Sequence, residues 1–128
     1  MSFCTAINCM DGRVQLPVIQ YLKKHFKVEY VDTITEPGPN ATLAKRISAS
    51  AVESIHRRIR ISVDRHKSAG IAVVGHADCA GNPAGEREQT EHTLEAMRYL
   101  KEMYPGLPVV GFWVNEAWEV SEVPDHSA

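Results

Sequence analysis

Residues 71–75, Ile-Ala-Val-Val-Gly, form a continuous apolar run of strand length bounded by Gly70 and His76. A run apolar at every position suits a parallel strand covered on both faces, where no alternation of polar and apolar residues is needed. Similar short runs at residues 3–8 and 107–114, and a β-rich run at 28–35, are separated by segments with helical periodicity. Glu29 and Asp32 interrupt the second of these, which suits a strand nearer a sheet edge.

The intervening segments read as helices. In residues 15–26, Leu16, Ile19, Leu22 and Phe26 make an apolar stripe, with Pro17 tolerated in the first turn. Residues 36–40, Glu-Pro-Gly-Pro-Asn, read as a loop. A long helix follows, with Ser50 to Glu53 matching a capping box, Val52, Ile55, Ile59 and Val63 on one face, and Gly70 as the stop. Ile61 lies on the opposite, basic face. Residues 77–87 read as a loop and 90–104 as the last helix, with Thr93, Met97, Leu100 and Tyr104 in register. The order β-α-β-α-β-α-β predicts an α/β fold of three layers, a mostly parallel four-stranded sheet with helices on both faces. We expect one domain over residues 1–123 and a flexible tail at 124–128.

Fourteen basic and sixteen acidic residues leave a net charge of −2, so no global field recruits nucleic acid or anionic lipid. No run approaches the ~20 apolar residues that span a bilayer, and no basic segment precedes an apolar one at the start, so a cytoplasmic location is expected. Three cysteines in such a chain point to metal binding or catalysis rather than to a disulfide framework.

Two of those cysteines stand at strand ends. Cys9-Met10-Asp11-Gly12-Arg13 follows the first run, and Gly75-His76-Ala77-Asp78-Cys79 closes the third. Ligands in open α/β sheets bind beyond the carboxyl ends of the strands, where strand order reverses. If the first and third strands are neighbours, two thiolates and one imidazole meet there. That set suits zinc (Zn2+) with one position left over. Asp11 and Arg13 are spaced for a bidentate ion pair, which would hold Asp11 off the metal as an acceptor; a plain surface salt bridge is the alternative. Asp11 as fourth ligand would instead close the site. Cys4, five residues before Cys9, is expected on the opposite strand face, in the core.

These motifs resemble those of the β-class carbonic anhydrases, which carry Cys-x-Asp-x-Arg after the first strand and Gly-His-x-x-Cys-Gly after the third. The first is matched in full; in the second, Ala80 replaces the last glycine and Gly81 follows. Residues 110–113, Val-Gly-Phe-Trp, are also similar. The resemblance implies zinc held by Cys9, His76 and Cys79, with Asp11 and Arg13 as the dyad governing the fourth position. It implies reversible hydration of carbon dioxide to bicarbonate by zinc-bound hydroxide, a small-molecule substrate, and a homodimer or higher homo-oligomer, for which Ile61 offers a contact. In some members the aspartate ligates zinc in a resting state. The sequence departs from the family in having no helical arm and no glutamine ahead of Cys9, and in replacing an Arg-Asn-rich turn by residues 35–40. Two other readings stay open: hydrolysis of carbonyl sulfide or carbon disulfide on the same site, or a non-catalytic zinc protein closed by Asp11.

Overall fold

Each strand of the sheet places alternate residues against opposite helical layers. In β3 (Ile71–His76), Ala72 and Val74 pack with Val14, Val18 and Leu22, whereas Ile71 and Val73 pack with Ile55, Ile59 and Leu100. The computed structural model describes residues 1–125, and all of β3 is buried. The first layer is α1 (Gln15–Phe26), entered through a 3-10 turn at Gly12–Val14. The opposite layer holds α2 (Pro39–Lys45), α3 (Ala49–Arg60) and α4 (Glu86–Met103).

The sheet has the order β2-β1-β3-β4-β5, built from β1 (Phe3–Cys9), β2 (Tyr30–Glu36), β3, β4 (Val109–Val114) and β5 (Val120–Glu122). The first four strands run parallel, and β5 pairs antiparallel with β4. β2 is an edge strand, in keeping with its interrupted apolar run. β1 and β3 are neighbours, and strand order reverses between them, so their carboxyl ends form the crevice where such sheets bind ligands.

The sheet thus has five strands, not four. The fifth arises because Asn115 organises a tight hairpin: its Oδ1 accepts from the backbone N–H groups of Ala117 and Glu119, both at 2.9 Å. Residues 36–40 are not wholly loop. Pro39 opens α2, since its fixed φ and missing N–H suit a first helical turn. α3 is capped by Ser48, whose Oγ accepts from Ala51 N, two residues ahead of the expected cap. It runs into a π-helical turn, Ile61–Arg65. Gly70 does not stop that helix; a Cβ there would lie 2.4 Å from the Phe26 ring, so glycine admits Phe26.

α4 begins at Glu86, four residues before the expected start, with Glu86 and Glu88 placed favourably in its first turn. Leu16 is exposed, and the buried residues of α1 are Val18 and Leu22, continuing the row begun by Val14 in the 3-10 turn. Cys4 is buried as expected but shares a cluster with Cys9, where alternation assigns the two to opposite faces. At Cys9 the strand ends: its N–H turns to Asn8 Oδ1 at 3.0 Å and regular alternation stops. In the expected tail, Lys101 Nζ donates to Asp125 at 2.5 Å, and residues 126–128 lie outside the described residues.

Candidate metal centre

Cys9 closes β1 and His76 closes β3, and Cys79 follows on the turn after β3. Their ligand atoms lie within 4.8 Å of one another, forming the one such group of three among the described residues. All three side chains are buried, and the two sulfurs stand 3.8 Å apart. Neighbouring groups hold each member. Gln15 Nε2 donates to the carbonyl oxygens of Cys9 and Asp11 at 2.7 and 2.9 Å, pinning the turn behind Cys9. Asn82 N donates to Cys79 Sγ at 3.3 Å.

His76 Nδ1 donates to the carbonyl oxygen of Ala77 at 2.8 Å. In the neutral ring that bond places the proton on Nδ1 and leaves the lone pair on Nε2. Nε2 is buried and without a hydrogen-bond partner. An orphaned buried acceptor costs on the order of 1–3 kcal/mol unless something satisfies it, and here it belongs to a group with two thiols. The residues present therefore fit a borderline-soft divalent cation. Burial pushes the Cys79 thiol above its usual range; the N–H of Asn82, next in weight, opposes the shift, and nearby Cys9 adds to it. A bound cation reverses this balance, because it favours the thiolate. Cys4 stands apart, pushed up to about 12 first by burial and then by Asp32.

Asp11 is not among the three clustered ligands. Arg13 grips it: Nε donates to Oδ1 at 3.0 Å, Nη2 to Oδ2 at 2.7 Å, and the backbone N to Oδ1 at 2.9 Å. These hydrogen bonds hold the Asp11 carboxyl at about 2. The same guanidinium donates to Asp78 Oδ2 at 3.2 Å and to the Asp78 carbonyl oxygen at 3.1 Å. It also lies over Trp118, with the guanidinium carbon 4.7 Å from the ring centroid. Trp118 adopts a left-handed backbone, φ 61°, inside the Asn115 hairpin turn. A bulky residue is rare there, and the surrounding hydrogen bonds impose it.

Beside this cluster opens a groove of about 430 Å3 walled by Ala77, Asp78, Gly85, Trp113 and Asn115, among others. The three clustered residues do not line it. No described helix is long and apolar enough to cross a membrane.

The supporting residues Gln15, Asn82, Gln89 and Trp118 were not singled out by the sequence patterns. Gln89 and Asn82 fall in or beside a stretch read as loop, and Trp118 in a segment with no clear period. The available signal was Gly75: a Cβ there would lie 2.8 Å from Asn40 Nδ2 and 3.0 Å from Gln89 Oε1, so the glycine marks a side chain crowding the strand end.

A family model described as putative carbonic anhydrase matches residues 1–124. No curated protein matches the sequence. Among solved structures, the fold is similar to that of a tetrameric β-carbonic anhydrase from the filamentous ascomycete Sordaria macrospora. The TM-score is 0.65 at 13% identity, over 98% of this chain and 82% of that one. A β-carbonic anhydrase of the fungal pathogen Aspergillus fumigatus gives 0.64 at 13% identity, over 93% and 74%. The carbonic anhydrase from Glaciozyma antarctica gives 0.60 at 16%, over 94% and 81%. At these identities the likeness is one of fold.

Proposed function

The chain belongs to the putative carbonic anhydrase family, and from that premise we propose that it hydrates carbon dioxide reversibly to bicarbonate at a zinc ion held by Cys9, His76 and Cys79. The observation that carries the proposal is His76 Nε2, buried and unpartnered in a cluster with two thiols. Bound there, zinc supplies a Lewis acid that makes water nucleophilic near neutral pH.

The chain's own residues supply the rest. Asp11, kept ionised by Arg13, is an acceptor that orients the attacking water, and the Arg13 grip keeps that carboxylate off the metal. An open fourth position follows, which favours catalysis over a closed structural site. The groove beside the cluster is walled in part by Ala77 and Asp78, the two residues that link His76 to Cys79, and that is the side from which the small, linear substrate would approach. Hydration of carbon dioxide yields bicarbonate and one proton, which leaves to solvent or buffer. Exposed Met10 and Leu16, on either side of Asp11 and Arg13, suit burial against another copy of the chain; the Sordaria macrospora neighbour is tetrameric.

The test is stopped-flow carbon dioxide hydration by zinc-replete protein, with Cys9→Ser beside it. Proton release catalysed at neutral pH and lost in the variant is the expected outcome. Zinc-replete protein that is inactive at neutral and alkaline pH alike would overturn the proposal.

A further inference from the structure

β1 and β3 pair only from Thr5↔Ile71 to Ile7↔Val73, whereas β3 continues beside β4 as far as His76↔Val114. The last residues of β3 therefore have a ladder partner on one side alone. In a parallel strand the N–H and C=O of one residue point to the same side, and successive residues alternate. Ala77 N donates to Val114 O, toward β4. The backbone groups of His76 point the other way, into the gap where β1 has diverged.

Gln89, fully buried on α4, fills that gap. Its Oε1 accepts from His76 N at 3.3 Å and its Nε2 donates to His76 O at 2.8 Å, so one side-chain amide occupies the place of the missing strand. The same Nε2 reaches the carbonyl oxygens of Asn82 and Ala84 at 3.1 and 3.2 Å. Asn82 in turn donates its backbone N–H to Cys79 Sγ. A single amide thus ties the strand carrying His76 to the loop that supports Cys79. Gly75 is the matching concession, since any Cβ would meet Asn40 and Gln89.

We propose that Gln89 is a positioning residue for the metal centre: its amide replaces a strand partner for His76 and sets the separation of the three ligands. The inference rests on the zinc site proposed above. Groups that orient metal ligands in this way typically change metal affinity by about 10- to 100-fold when removed.

The test is zinc affinity of the full chain, read by competition with a chromophoric chelator, together with the visible bands of the cobalt-loaded protein. Gln89→Met keeps length and removes the amide. Thr93→Val is the matched lesion, removing a hydroxyl that accepts from Asn40 in the same buried network at 3.2 Å without touching His76. Gln89→Met should bind zinc about 10- to 100-fold more weakly than the wild type, with shifted cobalt bands. Thr93→Val should stay within about two-fold. Equal affinities and equal cobalt bands in the two variants would overturn the inference. If Gln89→Met folds only with metal, the zinc dependence of its helical circular dichroism is titrated against that of Thr93→Val, and coincident curves overturn it equally. Cys9→Ser separates the two ideas: wild-type affinity in that variant removes the zinc site itself, whereas lost affinity there with an unaffected Gln89→Met removes only the role of Gln89.

Discussion

The Arg13 guanidinium carbon lies 4.7 Å from the Trp118 ring centroid, while N–H groups at its edges donate to Asp11 and Asp78. Arg13 is nearly half exposed, so the indole removes much of the freedom an exposed arginine would keep. A cation–π contact at such a site contributes about 0.5–1 kcal/mol. Trp118→Ala should therefore lower kcat/KM by about two- to five-fold, as each ~1.4 kcal/mol is tenfold. Zinc content should be unchanged. Stopped-flow rates with elemental analysis on the same samples check this.

Asp11 and Arg13 give a sharper expectation. In Asp11→Asn the negative charge and the Oδ2 acceptor that takes Arg13 Nη2 are lost, leaving Arg13 a single neutral amide oxygen there beside its contacts to Asp78 and Trp118. Hydration should fall by about 100-fold or more, the scale of a lost positioned acceptor. Because Asp11 is outside the three-ligand cluster, zinc stoichiometry should stay that of the wild type. Loss of zinc along with activity would show that Asp11 serves the metal directly.

Gly75 and Gly12 should respond oppositely to an added methyl. At Gly75 a Cβ would stand 2.8 Å from Asn40 Nδ2, and both partners are held in a buried network. Gly75→Ala should cost about 1–3 kcal/mol, the scale of overpacking. At Gly12 nothing lies within 4 Å, and Gly12→Ala should stay within about 0.5 kcal/mol. Urea unfolding of the pair reads both.

His56 makes stability depend on pH. It is buried between Tyr99 and Tyr104, whose hydroxyls meet its two ring nitrogens at 2.7 Å each. Burial, and then Arg60, lower its pKa below 6.5, against a smaller opposing effect of Glu53. The unfolded chain then binds the proton more readily than the folded one. Its contribution is thus complete above about 6.5 and declines as pH falls toward the folded value. His56→Gln should flatten the fall in unfolding free energy between about pH 7 and pH 5.

What the sequence revealed, and what it hid, follows from how far each signal reaches. That Cys9, His76 and Cys79 come together was legible because strand ends announce themselves: an apolar run stops, and small and polar residues begin. The α/β order and the edge position of β2 followed from the same pattern. The fifth strand was hidden because Val120–Glu122 is three residues long and exists through the Asn115 turn, not through any period. The start of α4 was hidden because Glu86 to Gln89 offer no apolar stripe; Gln89 is buried to serve His76 rather than the core. Side-chain amides that complete a backbone ladder leave no spacing rule behind, and only the folded chain displays them.

The most direct test of the account is X-ray absorption at the zinc edge of the zinc-replete protein at neutral pH. Two sulfur ligands at about 2.3 Å, one imidazole nitrogen at about 2.0–2.1 Å and one light, exchangeable donor are expected. That donor should persist unchanged in Asp11→Asn. A fourth ligand that disappears in Asp11→Asn, or a shell lacking either sulfur, would contradict it.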